Sequence, residues 1–328
     1  MTRVVRIHRH GGPEELKLEE EEVGAPGPGQ ARIRHTAIGL NFVDIYHRIG
    51  QFGADPMPFV LGVQGVGVVD ALGQGAGEGA AGLAVGDRVA YAGAMGAYRE
   101  VRLMPADRLI RLPADVEDGV AAAGLLRGLT AQYLVRRLYR VQPGDTVLVH
   151  AAAGGVGLVL CQWAKHLGAT VIGTVSSPAK AAIAAAHGCD HPVLYGEGRD
   201  WVAEVQRLTG GRGVPVVYDS VGRDTFMGSL DCLRPMGMAI NYGTASGQVE
   251  PFPLQRLHRK SLIVTRPTLG TWIADRGDLE RAADEFLNLV RGGVVRVEVA
   301  RRWPLAEVAD AHRELEGRRT TGATILVP

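Results

Sequence analysis

The sequence places three glycines and three alanines within eight residues, HAAAGGVG at positions 150–157. This octet directly follows the apolar run TVLVH and precedes a segment long enough for a helix. From Ala152 to Gly157 it has the spacing of a dinucleotide-binding loop, with alanine in place of the first glycine. Glycines let the backbone approach a pyrophosphate, and free N–H groups at a helix start bind anions. The octet therefore predicts a nucleotide cofactor, although small residues could also serve only tight packing of strand against helix.

The absence of an acidic residue after the octet indicates whether the adenosine end of the cofactor carries a 2′-phosphate. Sites for NAD place an acidic residue about 20 positions after the first glycine, where it binds the ribose 2′-hydroxyl. No Asp or Glu occurs between Val171 and Cys189, so a 2′-phosphate would meet no repulsion. Ser176, Ser177 and Lys180 offer it hydroxyl donors and a cation. The segment favours NADPH over NADH, and Ser177 is also typical of a helix N-cap, with Lys180 then on a solvated face.

The histidines and cysteines do not have the spacing of a zinc site. Cys161, Cys189 and Cys232 all lie beyond residue 126, so the histidines before them have no cysteine partner in that part of the chain. Without a metal to stabilise the charge left on a simple ketone, conjugated acceptors are easier to reduce. We therefore expect no metal and a conjugated acceptor, either a quinone or the double bond of an enone or alkenal.

Two patterns of secondary structure divide the chain near residue 126. The part before it carries short β-type segments broken by Gly and Pro, which predicts an all-β domain, either a barrel or a sandwich. After it, strands and helices alternate, which predicts a parallel, doubly wound sheet with helices on both faces. Beyond Arg266 the order is helix, strand, helix, strand, and periodicity does not decide which domain these join. The predicted fold class is α/β.

Composition excludes several classes of protein. With 328 residues, 46% of them hydrophobic, the chain can bury large cores in two domains. The 36 basic and 35 acidic residues give a net charge of +1, which argues against binding of nucleic acid. No apolar run of about 18 residues could span a bilayer, and the N-terminus lacks a secretory signal. The sequence predicts a soluble, cytoplasmic protein without a membrane partner.

Motifs along nearly the whole chain share one resemblance. They are HGGPEEL, IGLNFVDIYHRIG, GDRVAYA, GAYREV, LRGLTAQYLV, HAAAGGVGLVLCQWAKHLGATVIGTV, VVYDSVGRDT, VTRPTL and TTGATILVP. Together they resemble the zinc-independent, zeta-crystallin-like quinone oxidoreductases of the medium-chain dehydrogenase/reductase superfamily. The resemblance implies a GroES-like, β-rich catalytic domain at 1–126 and 266–328, and a Rossmann NADPH-binding domain at 127–265. It also implies a homodimer that reduces quinones by direct hydride transfer from NADPH.

The resemblance further implies candidate catalytic residues. Asn41 and Tyr46 match positions beside the nicotinamide, and Asp44 lies on the same segment. Amide and phenol groups can orient a carboxamide and donate to a developing oxyanion, which fits such a place. The segment could instead be a turn of amphipathic helix, with Asn41 as a cap and with Phe42 and Ile45 in the core.

The remaining cofactor-binding residues come from the glycine loop and from the resemblance. Lys180 and Tyr195 match contacts to the 2′-phosphate, whereas Asn241 to Gly243 match a loop under the nicotinamide. Arg266 and Arg318 match polar contacts around the cofactor, although Arg318 could be an ordinary surface cation. The full predicted set is Asn41, Tyr46, Ala153, Gly154, Gly155, Val156, Gly173, Thr174, Ser176, Lys180, Tyr195, Ser220, Asn241, Tyr242, Gly243, Arg266 and Arg318.

One segment departs from the family pattern. In LGVQGVG, Val63 and Gln64 stand where zinc-bearing relatives have a His-Glu pair and where many zinc-free members keep the glutamate. The loss of both strengthens the expectation that no zinc is bound. Our hypothesis is that Gln64 is structural and forms hydrogen bonds beneath the site.

A function of another class is the alternative to catalysis. The protein could be an NADPH-binding sensor, or it could bind RNA, as some relatives do.

Overall fold

The computed structural model describes residues 1–52, 56–78, 82–196, 198–317 and 322–328. The chain forms two compact units. The first comprises Met1–Leu126, Asp275–Arg291 and Val297–Pro328, and the second comprises Arg127–Ala274 and Gly292–Arg296. The predicted domains differ from these units at 266–274 and 292–296, which lie in the second unit. Residues 266–274 lie there because Trp272 stacks on Tyr133 at 5.4 Å and its carbonyl accepts a hydrogen bond from Arg137 at 2.9 Å.

Strands of the first unit form two sheets among the described residues. The strands are β1 (Thr2–Ile7), β2 (Lys17–Glu21), β3 (Gln30–Leu40), β4 (Phe59–Val60), β5 (Gln64–Leu72), β6 (Arg88–Ala92), β7 (Val101–Pro105), β8 (Ile110–Arg111), β15 (Val299–Pro304) and β16 (Ala323–Val327). One sheet has the order β2-β1-β4, and the other has the order β15-β16-β3-β5-β6-β8, with β7 also paired to β3. In the first part of β3 alternate residues are buried, as expected where one sheet face covers a core.

The C-terminal segments complete the larger of these sheets. β16 runs antiparallel to β3, with Leu326 opposite Ile38, and β15 runs parallel to β16. Leu326 and Ile38 are fully buried in one core with Val308. The last segments therefore join the first unit, a placement that periodicity left open. The helices that accompany these strands are α1 (Phe42–Arg48), α2 (Asp118–Gln132), α9 (Arg276–Arg291) and α10 (Val308–Glu316), and the division between the units falls within α2.

The second unit is a parallel sheet with helices between its strands. The strands are β9 (Thr146–Val149), β10 (Thr170–Val175), β11 (His191–Leu194), β12 (Val214–Asp219), β13 (Leu233–Asn241) and β14 (Ile263–Thr265). The helices are α3 (Gly155–His166), α4 (Pro178–Ala186), α5 (Trp201–Leu208), α6 (Phe226–Cys232), α7 (Gln255–His258) and α8 (Leu269–Trp272), and a π-helical turn, Tyr133–Leu138, follows α2. The strand order β11-β10-β9-β12-β13-β14 confirms the predicted doubly wound fold.

The strand order reverses direction at β9. From β9 the chain adds β10 and β11 on one side and then β12, β13 and β14 on the other. At such a point, ligands of open α/β sheets bind in the crevice beyond the carboxyl ends of the strands. Every residue of β12 is buried, which explains its almost uninterrupted apolar sequence VPVVYD.

Within the described residues, no helix combines the length and the apolar character needed to cross a bilayer.

Candidate cofactor and active site

The predicted cofactor residues of the second unit lie at the carboxyl edge of its sheet. Each strand from β9 to β14 supplies residues at its end or immediately after it. The order is Ala153 to Val156 after β9, Gly173 to Ser176 at the end of β10, Tyr195 after β11, Ser220 after β12, Asn241 to Gly243 at the end of β13 and Arg266 after β14. Parallel strands bring all these ends to one edge. The fold thus gathers residues that are up to about a hundred positions apart in sequence.

The glycine loop connects β9 to α3 in a tight turn. Ala151 has a φ of 50°, and its carbonyl accepts a hydrogen bond from Gly154, which caps α3. A Cβ on Gly157 would lie 2.2 Å from that same carbonyl oxygen, so no larger residue fits there. Gly157 therefore serves close packing of the loop. Gly154 instead caps α3 and Gly155 begins it, and the first N–H groups of the helix, which have no partner within the helix, make an anion site.

The segment after β10 contains the predicted N-cap, and two of its predicted polar side chains contact each other. The Ser177 hydroxyl caps α4 by accepting from the Lys180 amide at 3.3 Å, which confirms the N-cap. The Lys180 ammonium donates to the Ser176 hydroxyl at 3.3 Å, and Ser176 is exposed. Tyr195 stands at the end of the neighbouring strand, since its amide bonds the Val175 carbonyl at 3.1 Å. A cation, a hydroxyl and a phenol thus belong to neighbouring strand ends with no carboxylate in the segment from 171 to 189.

The loop after β13 is held from both sides within the second unit. The Asn241 amide donates to the Gly243 carbonyl at 2.9 Å, and Arg266 donates to the Asn241 side-chain oxygen. A Cβ on Gly243 would lie 2.7 Å from the Ser220 carbonyl, so this glycine permits the loop to lie against the end of β12. Burial raises the pKa of Tyr242 far above its ordinary value, which keeps its phenol protonated. Arg318, the remaining predicted contact, lies outside the described residues.

A buried polar chain beneath these strand ends was not predicted from the sequence. The His150 ring contacts the Thr174 hydroxyl at 2.8 Å and the Ser229 hydroxyl at 2.9 Å. Ser229 donates to Asp219, which also accepts from Thr225 and from two loop amides. The ends of β9, β10 and β12 are therefore tied together through side chains. The only sequence signal was that His150 opens the glycine octet.

In the first unit, Asn41 is fixed by two separate hydrogen bonds. Asn41 caps α1, and its backbone N–H donates to the Asp44 carboxylate at 2.8 Å. Its side chain donates to Gln64 at 3.0 Å, and Gln64 in turn donates to the Ala121 carbonyl at 3.1 Å. The helical interpretation of this segment is confirmed, with Ile45 buried and Phe42 partly buried. Gln64, fully buried, forms the hydrogen bonds that our structural hypothesis expected.

Asp44 ends a directional chain of buried hydrogen bonds. A guanidinium only donates, so the bond of 2.9 Å from Arg48 makes His312 Nδ1 an acceptor. The neutral ring then carries its proton on Nε2 and donates to Tyr98 at 3.0 Å, while Tyr98 donates to Asp44 at 3.1 Å. Burial raises the pKa of Asp44 to about 7, although its hydrogen bonds to Asn41, Tyr98 and Val63 oppose this. Arg48 also pairs with Glu316.

The two other candidate catalytic side chains are placed differently from each other. Asp44 is 0% exposed, so in this structure its carboxylate meets other side chains and not solvent. Tyr46 lies on the same helix and is 8% exposed. Its ring packs edge-on against Phe42 at 5.7 Å and Phe52 at 5.6 Å. Asn41 and Tyr46 therefore lie on one short helix whose position Asp44 helps to fix.

No metal centre is formed by the part of the chain that the structure describes. No group of three or more His, Cys, Asp or Glu side chains is arranged to hold a metal ion there. Val63 is 5% exposed and Gln64 is 0% exposed, so the two positions that depart from the His-Glu pair of the family pattern contribute an apolar side chain and an amide. The three cysteines are free and buried.

Known proteins match this chain from end to end. The alcohol dehydrogenase GroES-like domain matches residues 27–114, and the zinc-binding dehydrogenase family matches residues 155–288. A quinone oxidoreductase of Pseudomonas aeruginosa is 46% identical over 100% of both chains. The chain belongs to the quinone oxidoreductase family of the medium-chain dehydrogenase/reductase superfamily. This confirms the resemblance of the motifs and the predicted α/β fold of GroES-like and Rossmann type.

Two further relatives of this quinone oxidoreductase family member bear on its chemistry. A 2-haloacrylate reductase of Burkholderia sp. is 45% identical over 100% of this chain and 99% of its own. The crystal structure of Escherichia coli quinone oxidoreductase, complexed with NADPH, has a TM-score of 0.95 and 42% identity, and it covers 99% of this chain and 100% of that chain.

Proposed function

We propose that the protein is an NADPH-dependent quinone oxidoreductase that transfers a hydride directly to its acceptor without a metal. The observation that carries the proposal is the likeness to the NADPH complex of the Escherichia coli enzyme, in both fold and sequence. The glycine loop, the segment after β10 and the loop after β13 supply the residue types that such a cofactor needs. NADPH when bound supplies the hydride.

The residues present fit this cofactor. The start of α3 offers free N–H groups for the pyrophosphate, and Gly157 allows the tight turn that aims them. Ser176, Lys180 and Tyr195 would hold the 2′-phosphate, whose charge meets no carboxylate between 171 and 189. We assign the remaining predicted set, Ala153, Gly154, Gly155, Val156, Gly173, Thr174, Ser220, Asn241, Tyr242, Gly243, Arg266 and Arg318, to the rest of the cofactor.

The residues on α1 would position the acceptor and protonate or stabilise its oxygen. Asn41 is held by Asp44 and Gln64, so its amide has a fixed direction. Tyr46 is our candidate donor to the acceptor oxygen, because a phenol can donate to a developing oxyanion. Since Asp44 is fully buried, we propose that it contributes by holding Asn41 and not by touching the acceptor. The protein would act mainly by proximity, orientation and exclusion of water.

A second function is favoured by one specific comparison. The Burkholderia relative at 45% identity is a 2-haloacrylate reductase. The same hydride step reduces a carbon–carbon double bond that a carbonyl or carboxylate polarises. Reduction of an activated double bond is therefore the alternative, and it would use the same cofactor site.

We propose further that the protein is a cytoplasmic homodimer. Three buried, unpaired thiols are typical of a reducing compartment. β14 is the edge strand of the six-stranded sheet and leaves Ile263 49% exposed, which offers an unpaired edge to a second copy. Sedimentation analysis at micromolar protein would test this: a single monomeric species would contradict the homodimer.

Product analysis separates the two catalytic functions. Protein freed of metal by a chelator is supplied with NADPH and either a simple benzoquinone or 2-chloroacrylate. We expect hydroquinone to form quickly and the halogenated acid to be reduced slowly or not at all. The reverse preference would overturn quinone reduction in favour of the alternative. If NADPH were oxidised with neither the quinone nor the halogenated acid, only a binding role would remain.

A further inference from the structure

One arginine in the second unit lies against the glycine loop without a counter-charge. Arg127 belongs to α2, and an ideal Cβ on Gly155 would lie 2.7 Å from its Nε and 2.8 Å from its Cζ. The guanidinium therefore packs directly on the first residue of α3. A side chain at position 155 would displace the arginine from the loop.

Among the described residues, Arg127 has neither an ion pair nor a hydrogen bond from its guanidinium. The nearby arginines of the unit differ in this respect, since Arg137 donates to the Trp272 carbonyl and Arg266 donates to Asn241. Desolvation alone lowers the pKa of Arg127, to about 10, so the side chain stays charged at neutral pH. A partly buried cation without a partner costs free energy, and a bound anion would offset that cost.

The position of Arg127 indicates which anion of the cofactor would pair with it. The 2′-phosphate of the proposed cofactor belongs to the other end of the site, after β10, where Ser176 and Lys180 lie. Gly155 begins α3, whose free N–H groups are the expected site of the pyrophosphate. A guanidinium beside those amides adds a full charge and forked donors to the partial charge of the helix.

We propose that Arg127 is a cofactor-binding residue whose guanidinium pairs with the pyrophosphate of the dinucleotide. This inference rests on the proposed function, because it takes the glycine loop as the cofactor site. NADPH and NADH share the pyrophosphate, so Arg127 adds affinity for both equally. Lys180, in contrast, distinguishes them through the 2′-phosphate.

Equilibrium binding of NADPH and NADH to Arg127→Met, Arg127→Lys and Lys180→Met tests the assignment, measured by nucleotide fluorescence. We expect Arg127→Met to weaken both nucleotides by the same factor, about 10- to 100-fold, and Arg127→Lys to weaken them less, since it keeps the charge without the fork. The matched control Lys180→Met should weaken NADPH alone. Binding of both within twofold of wild type in Arg127→Met, or a loss confined to NADPH, would overturn the assignment.

Thermal unfolding of the nucleotide-free protein separates binding from a structural role. Removing an unpaired cation should leave the melting temperature of Arg127→Met unchanged or raise it. A fall of several degrees, with the loss of binding, would mean that Arg127 supports the fold and would overturn its role as a ligand. Wild-type protein that bound neither nucleotide would instead overturn the proposed function itself, whatever the variants did.

Discussion

Asn41 is a helix cap and also a residue that we propose for the site. Its backbone N–H bonds Asp44 and its side chain bonds Gln64, so the cap also fixes the amide that we place beside the nicotinamide. The buried Arg48, His312 and Tyr98 all donate along one direction toward Asp44. Such a chain polarises its members and stabilises the carboxylate form of Asp44 against burial.

Asp44→Asn tests whether that carboxylate is a positioning group. Because the pKa of Asp44 is raised to about 7 from 3.8, its ionisation costs the folded state free energy progressively as pH rises from about 4 to 7. Asn avoids this cost and keeps an acceptor for Asn41. We expect the stability of the variant relative to wild type to rise by about 1 kcal/mol per pH unit between pH 5 and 7. Denaturant unfolding measures this, with the exposed Glu117→Gln as control. Parallel curves for wild type and Asp44→Asn would contradict the account.

Tyr46→Phe tests the proposed donor. The ring keeps its edge contacts with Phe42 and Phe52, so the fold should persist. Turnover with a benzoquinone should fall at least about tenfold, because a donor to the developing oxyanion is lost, while the Kd for NADPH should stay within about twofold. Tyr139→Phe, which removes a phenol bonded to Asp145, is a matched control. Unchanged turnover in Tyr46→Phe would remove that role.

At the scale of elements, the proposed cofactor site is formed by residues at the ends of six strands, β9 to β14. The glycine loop and the segment after β10 are marked in the sequence by glycines, a strand end and a cap, whereas Tyr195, Asn241 to Gly243 and Arg266 were predicted from the family resemblance. Arg127 and the chain from His150 to Asp219 carried no such mark. Which face of α2 Arg127 occupies, and which hydroxyls meet His150, depend on packing between elements distant in sequence.

Gly157→Ala tests the turn that joins β9 to α3. The added methyl would lie 2.2 Å from the Ala151 carbonyl and 2.9 Å from the Ala152 Cα, both backbone atoms that cannot move alone. The loop must shift, so NADPH affinity should fall at least about tenfold, because the amides of α3 lose their aim. Gly270→Ala is a matched control, since no atom lies within 4 Å of its added methyl. Equal affinity in both variants would show that the turn tolerates a side chain.

At the scale of the molecule, the first unit buries two histidines in the neutral form. Burial, together with nearby arginines, lowers the pKa of His35 and of His312 to about 3. His35 donates from Nδ1 to the Arg99 carbonyl at 2.7 Å, which leaves Nε2 to accept from Tyr91 at 2.9 Å. These partners favour the neutral ring.

Acid should therefore destabilise the fold. A depressed histidine pKa contributes stability above the unfolded value near 6.5 that is lost as pH falls from there toward 3. Each ring should cost about 1.4 kcal/mol per pH unit in that window. His35→Gln should be less stable at pH 8 and show a shallower loss between pH 7 and 5, whereas the exposed His191→Gln should follow the wild type. An unchanged slope in His35→Gln would contradict this.

Much of the fold and part of the site could be predicted from the sequence. The parallel sheet, the NADPH-favouring gap after β10 and the lack of zinc spacing are local patterns. The placement of the C-terminal strands is not, because β16 pairs with β3 across nearly three hundred residues. The role of Asp44 also depended on structure, since only its three-dimensional neighbours show that it is buried and faces Asn41.

The measurement that tests the account most directly is the rate of NADPH oxidation against NADH oxidation by metal-free protein with a simple benzoquinone. The account predicts rapid formation of hydroquinone with NADPH, at least about tenfold preferred over NADH in kcat/KM, since the segment 171–189 offers Lys180 and no carboxylate to the 2′-phosphate. Equal use of both nucleotides would contradict the assignment of Ser176 and Lys180. Turnover only after a metal is added would contradict the central claim.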